Sequence, residues 1–99
     1  MHTTVRIYHG SPGLAQRIGD QRESLEKLFR AVPGFAGYRL VETADGLVSV
    51  TICETKEGCE ESSKRAAAWV QEHFPNEKIA PPTIIGGTSL VSFGAKPAR

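Results

Sequence analysis

Two runs of strand-forming residues, Phe35 to Glu42 and Leu47 to Thr55, are separated only by Thr43-Ala44-Asp45-Gly46, whose Asp-Gly pair favours a tight reversal. A hairpin fixed there, with a helical pattern on either side and a strand-like segment beyond each helix, leaves few architectures open. Upstream, Thr3 to His9 reads as a strand stopped by Gly10-Ser11-Pro12-Gly13. Ser11 and Pro12 then offer a cap and a first helical residue. Leu14, Ile18, Leu25, Leu28, Phe29 and Val32 recur near the helical period, predicting one helix to about Val32, ended by Pro33-Gly34. Gly19 weakens its middle by roughly 1 kcal/mol relative to Ala. Downstream, Thr55 caps a second helix with Glu57 in its first turn, a stripe of Cys59, Ser62 or Ser63, Ala66, Val70 and Phe74, and Pro75 at its end. Thr83 to Phe93 is the final strand, with a bulge or bend at Gly86-Gly87. The order β-α-β-β-α-β predicts an α+β ferredoxin-like sandwich over residues 1–94, with 95–99 a flexible C-terminal tail.

With 99 residues, folding buries roughly 65% of the surface that the unfolded chain exposes, so the core is thin. On the third strand Val48, Val50 and Ile52 face one way and Leu47, Ser49, Thr51 and Cys53 the other. Taking Val5 and Ile7 as the helix-facing residues of the first strand places Arg6 and Tyr8 on the outer face, with Leu47 and members of the last strand such as Ile84, Ile85, Leu90 and Val91. That outer face is too apolar to leave wet, and a second copy of the chain is the simplest cover.

The formal net charge of +1 is far from the basic balance that a phosphate-neutralising protein needs, which argues against a nucleic-acid partner. The central strands also lack the paired aromatics of an RNA-recognition module. No apolar run reaches the length of a signal peptide or membrane span, so a cytoplasmic protein without a membrane partner is expected. Cys53 and Cys59, spaced C-x5-C without a companion His or Cys cluster, predict reduced thiols and neither a disulfide nor a metal site.

Val32-Pro33-Gly34-Phe35-Ala36-Gly37-Tyr38-Arg39-Leu40 and, after the turn, Ser49-Val50-Thr51-Ile52-Cys53-Glu54-Thr55-Lys56-Glu57 resemble the antibiotic-biosynthesis-monooxygenase-like branch of the dimeric α/β-barrel superfamily. The likeness covers about Gly34 to Val70 and rests on the P-G-F-x-G turn and the E-T-K-E junction. It implies a homodimer whose two sheets form a barrel, each subunit holding a small-molecule cleft between helices and sheet. Some members oxidise quinol-like aromatics without a cofactor, and no cofactor is expected here. Departures from the pattern are Cys53 where many members carry a strand tryptophan, Ser62 where haem-degrading members carry a helix tryptophan, and Glu72, rather than His73, at their haem-ligand spacing. The haem-degrading pattern is therefore not matched.

Candidate ligand-pocket residues are His9, Tyr38, Cys53, Trp69 and His73, with His73 the best candidate for a catalytic role. Trp69 and His73 lie four apart on one helix face, where an indole and an imidazole could orient a flat ligand and move a proton near neutral pH. The alternative is core packing for the first and a solvated helix end for the second. His9 sits at a strand end beside a glycine-rich loop. Arg6, Tyr8 and Tyr38 offer a guanidinium and phenols for a phenolate or carboxylate. Cys59 in a helix first turn reads as packing among Glu57, Glu60 and Glu61. Two expectations stay open: a homodimer binding a small apolar or aromatic ligand and oxygenating it without cofactor, or a non-catalytic dimeric binding, regulatory or stress-related module with a closed cleft.

Overall fold

The hairpin forms as its turn chemistry predicts: β2 (Phe35–Thr43) runs antiparallel to β3 (Gly46–Cys53) from the Thr43–Gly46 pair outward, with a bulge between Phe35 and Gly37. In the computed structural model, which describes residues 1–95, β1 (His2–His9) pairs with β3 on one side and with β4 (Thr83–Thr88) on the other. The sheet order is β2-β3-β1-β4, all antiparallel. Three helices, α1 (Leu14–Gly19), α2 (Arg22–Arg30) and α3 (Lys56–His73), complete the ferredoxin-like α+β fold.

The first helical pattern yields two helices rather than one. Asp20 N–H donates to Gln16 O and Gln21 N–H to Ile18 O, closing α1 after Gly19, and Leu25 N–H donates to Gln21 O to begin α2. Gly19 is thus an end rather than a weak middle. Ser11 does not cap it: the cap position is Gly13, with φ 78°, and Leu14 N–H bonds the Ser11 carbonyl in a preceding turn. Thr55 does cap α3, its Oγ1 accepting from Gly58 N–H at 3.1 Å. No bulge breaks β4. Gly86 and Gly87 pair with Thr4 and Thr3 in unbroken register, and the strand ends at Thr88 instead of Phe93. Of the expected tail, 95–99, all but Ala95 lies outside the described residues.

The two faces of the sheet are the reverse of the expectation. Thr4 and Arg6 are buried, and their β3 partners Thr51 and Ser49 are buried with them, whereas Val5, Ile7, Val48, Val50 and Ile52 line the uncovered face. Leu47, expected outside, is 2% exposed in the helix-side core with Leu14, Ile18, Leu25, Phe29 and Trp69. The physical reason is that Arg6 can be turned inward only if that face offers acceptors for its N–H groups, and Ser49 and Thr51 do. The β-branched residues then fall to the other side by alternation. A smaller cluster of Val32, Cys53 and Cys59 sits under the start of α3, where a Cβ on Gly58 would lie 3.0 Å from Pro33 O and 3.2 Å from Cys53 Cβ.

Candidate functional site

Between the helices and the sheet, side chains from β1, β2 and β3 meet those of all three helices around a cavity of about 30 Å³. Its walls are apolar: Leu14 and Ile18 from α1, Leu25 from α2, and Trp69 and Val70 from α3. Arg6, Tyr8, Tyr38 and Ser49 supply a polar floor. Alternation along β1 brings Arg6 and Tyr8 to this side together, and the pairing of Tyr38 with Thr51 puts Tyr38 beside them.

Arg6 is 2% exposed and held by hydroxyls alone. Its Nε donates to Ser63 Oγ at 3.0 Å, Nη1 to Ser49 Oγ at 3.1 Å and Thr51 Oγ1 at 3.0 Å, and Nη2 to Ser62 Oγ at 3.0 Å. Ser62 donates its own proton to Cys59 O at 2.7 Å, which leaves its oxygen free to accept. Serines spaced along α3 at 62 and 63 therefore finish what β3 begins. Burial draws the guanidinium pKa below its ordinary value, opposed by the nearby Tyr38 and Tyr8. The same desolvation raises Tyr8 and pushes Tyr38 up to about 12, so both phenols stay protonated donors over the physiological range. Phe29 stacks on the Tyr38 ring, centroids 4.1 Å apart, and fixes it from behind.

Trp69 is anchored from two directions. Its Nε1 donates to Ser24 Oγ at 2.9 Å, and the His73 ring stacks on it with centroids 4.2 Å apart. His73 Nδ1 donates to the Trp69 carbonyl at 2.9 Å, leaving Nε2 as the acceptor nitrogen of the neutral ring, 3.5 Å from Ser24 Oγ. Two larger hollows adjoin the cavity. A groove of about 740 Å³ beneath the segment joining α3 to β4 shares Tyr8 and Val70 with it, and a hollow of about 290 Å³ between α2 and β2 shares Leu25 and Tyr38.

No protein-family model matches the chain, and no curated protein sequence does. Solved structures do match. A haem degrader, MhuD of Mycobacterium tuberculosis, solved with two haems in its active site, superposes with TM-score 0.70 at 15% identity over 95% of this chain and all, 100%, of its own. A monooxygenase encoded by ActVA-Orf6 of Streptomyces coelicolor, solved with nanaomycin D, does so with TM-score 0.65 at 16% identity over 96% of this chain and 91% of its own. A Bordetella bronchiseptica protein provisionally described as an antibiotic biosynthesis monooxygenase gives TM-score 0.67 at 16% identity, over 91% of this chain and 97% of its own. The chain has the antibiotic-biosynthesis-monooxygenase-like fold.

Within this fold the expected pocket residues separate into two groups. Tyr38 and Trp69 line the cavity; His9, Cys53 and His73 do not. His9 lies at the exposed end of β1, its Nδ1 2.8 Å from Asp45 Oδ2 across the hairpin turn. Cys53 is fully buried in the second cluster, where burial and the adjacent Cys59 push its thiol up to about 11. His73 acts on the cavity only through Trp69. Arg6 and Tyr8, expected on the outer face, form the polar floor, and Ser62 and Ser63, alternatives for one stripe position in the sequence, both hold Arg6. The signal that finds them is the match between polar residues on the same faces of β1 and β3. Thr4, Arg6, Ser49 and Thr51 are directly paired, and four polar residues on one face of adjacent strands must face either water or one another.

Among the described residues no group of His, Cys, Asp and Glu is arranged to hold a metal ion, and no helix is long and apolar enough to cross a membrane.

Proposed function

We propose that the protein is a homodimer that binds a small aromatic compound under its helices and oxygenates it without a bound cofactor. The observation that carries this reading is the combination in one cavity of apolar walls, an indole fixed edge and face, and a floor of two protonated phenols with a buried guanidinium. Such a site desolvates a ring while stabilising negative charge that develops on it. Deprotonated aromatics of the quinol class react with dioxygen directly: one oxygen atom is added at a ring carbon, the quinol is oxidised to the hydroxyquinone, and the other oxygen atom leaves as water with two hydrogens of the quinol. Tyr8 and Tyr38 hydrogen-bond the oxygen that carries the charge, and Trp69 stacks on the ring. His73 is a positioning residue, holding Trp69 through its ring and through Ser24. Haem is not the proposed substrate, because His73 stands behind the indole and does not line the cavity.

The dimer belongs to the same reading. Val5, Ile7, Val41, Val48, Val50, Ile52 and Ile85 form a β-branched surface on the uncovered face, with Val41 and Ile85 41% and 57% exposed. A second copy facing it removes that surface from water.

A second reading, a non-catalytic binding module, is favoured by the cavity's size, since about 30 Å³ holds about two water molecules. Oxygen uptake with a panel of hydroquinones decides between them. The proposal expects turnover that falls at least about tenfold in Tyr38→Phe. Ligand binding without oxygen uptake across the panel establishes the second reading instead.

A further inference from the structure

Arg6 is a buried cation without a counter-ion among the described residues. Among the described residues the ion pairs are His9–Asp45, Arg17–Glu77, Arg22–Glu26, Arg30–Glu26 and Arg65–Glu61, all near the surface, and no carboxylate lies within 4.0 Å of Arg6. A buried arginine ordinarily faces an acid, because an unpaired charge out of water is costly. Here the cost is carried by four neutral hydroxyls, and they leave the charge itself uncancelled. The donor count is equally specific. Of five N–H groups, Ser63 takes the one on Nε, Ser49 and Thr51 take both on Nη1, and Ser62 takes one on Nη2. One N–H on Nη2 has no acceptor among the described residues.

We propose that Arg6 makes the cleft selective for an aromatic ligand bound as an anion, with its charge on one ring oxygen, a phenolate or enolate. This rests on the reading of the cleft as a small-molecule site and names the ligand class it takes. A single free N–H suits one oxygen; a carboxylate seeking the two-pronged fork that guanidinium prefers would have to strip Arg6 of a serine or threonine. Tyr8 and Tyr38, on the same floor, supply two further O–H donors. Ser49, which accepts from Arg6, lies on the same floor as Tyr38. The ligand enters from the groove beneath the α3–β4 segment. Tyr8 and Val70 are the shared wall between groove and cavity, and rotation of the Tyr8 ring joins the two spaces.

The test compares three rings of one shape on the full chain, 4-nitrophenol, nitrobenzene and 4-nitrobenzoate, titrated by quenching of Trp69 emission and, for 4-nitrophenol, by the growth of its phenolate absorption on binding at a pH where it is half ionised. The proposal expects 4-nitrophenolate to bind about tenfold or more tighter than nitrobenzene and tighter than 4-nitrobenzoate. Arg6→Met brings 4-nitrophenolate and nitrobenzene within about threefold of each other, while Arg6→Lys, which keeps the charge, keeps the preference. Circular dichroism establishes that each variant is folded; if Arg6→Met is not, loss of the preference for anions in wild type itself, read from nitrobenzene binding as tightly as 4-nitrophenolate, still overturns the proposal. That result leaves the cleft standing as an aromatic site. Tighter binding of 4-nitrobenzoate overturns the single-oxygen assignment, and no binding of any of the three at millimolar concentration removes the small-molecule reading and this inference with it.

Discussion

Arg6 Nη1 and Ser49 Oγ lie 3.1 Å apart on directly paired residues of β1 and β3, turned toward the helices at the centre of the sheet. From that contact both faces of the sheet follow. Once a guanidinium is directed inward, acceptors must meet its N–H groups there, as Ser49 and Thr51 do, and the β-branched residues between them are directed outward.

Ser62→Ala should destabilise the fold by about 1–3 kcal/mol, because it leaves a buried Arg6 N–H without an acceptor and removes the hydroxyl bond to Cys59 O. Urea unfolding followed by circular dichroism measures it. Ser63→Ala, at a less buried position, should cost less.

Val50 lies in the middle of the uncovered face, paired with Val5 on one side and Arg39 on the other. In Val50→Asp the charge opposes association, so light scattering at micromolar concentration should change from twice the chain mass to the chain mass, with the secondary structure retained. Leu47→Ala, on the helix side, should instead lower stability by about 2–5 kcal/mol and leave the association state unchanged.

Stability should decline in alkali through the phenols. Tyr38, raised from 10.0 to about 12, keeps its proton in the folded protein while the unfolded chain loses it, so its contribution is complete below about pH 10 and is lost as pH rises toward about 12. Tyr8 acts in the same direction, and Cys53, pushed up to about 11, begins the decline near pH 9. Tyr38→Phe should flatten the upper part of the slope. Denaturant midpoints measured from pH 7 to 11.5 test this, and a midpoint that rises over that range contradicts it.

The elements were largely legible because turn chemistry and periodicity are local. Asp45-Gly46 marks the hairpin, Thr55 the start of α3, and Pro33-Gly34 the end of the second helix. The break at Gly19 was visible only as a weakness, since one glycine signals a cost without saying whether the chain tolerates it or stops. Which face of the sheet is inside was not legible from apolarity. Val48, Val50 and Ile52 are the more hydrophobic set, yet in the single chain they are outside, because Arg6 needs Ser49, Thr51, Ser62 and Ser63 at once and the last two arrive from a helix, 56 and 57 residues away in sequence. Tyr38 and Trp69 were recoverable from their own chemistry, a phenol and an indole spaced four residues from an imidazole. The remoteness of His73 from the cavity was not, because i to i+4 spacing places it beside Trp69 without saying which of the two is nearer the sheet.

Trp69 is the only tryptophan in the chain and it lines the cavity, so its emission reports the cleft and nothing else. Titrating the protein with quinol-type and phenolic ring compounds should give saturable quenching or a spectral shift, weakened by Arg6→Met. Emission unchanged to millimolar concentrations of every such compound would contradict the account at its centre.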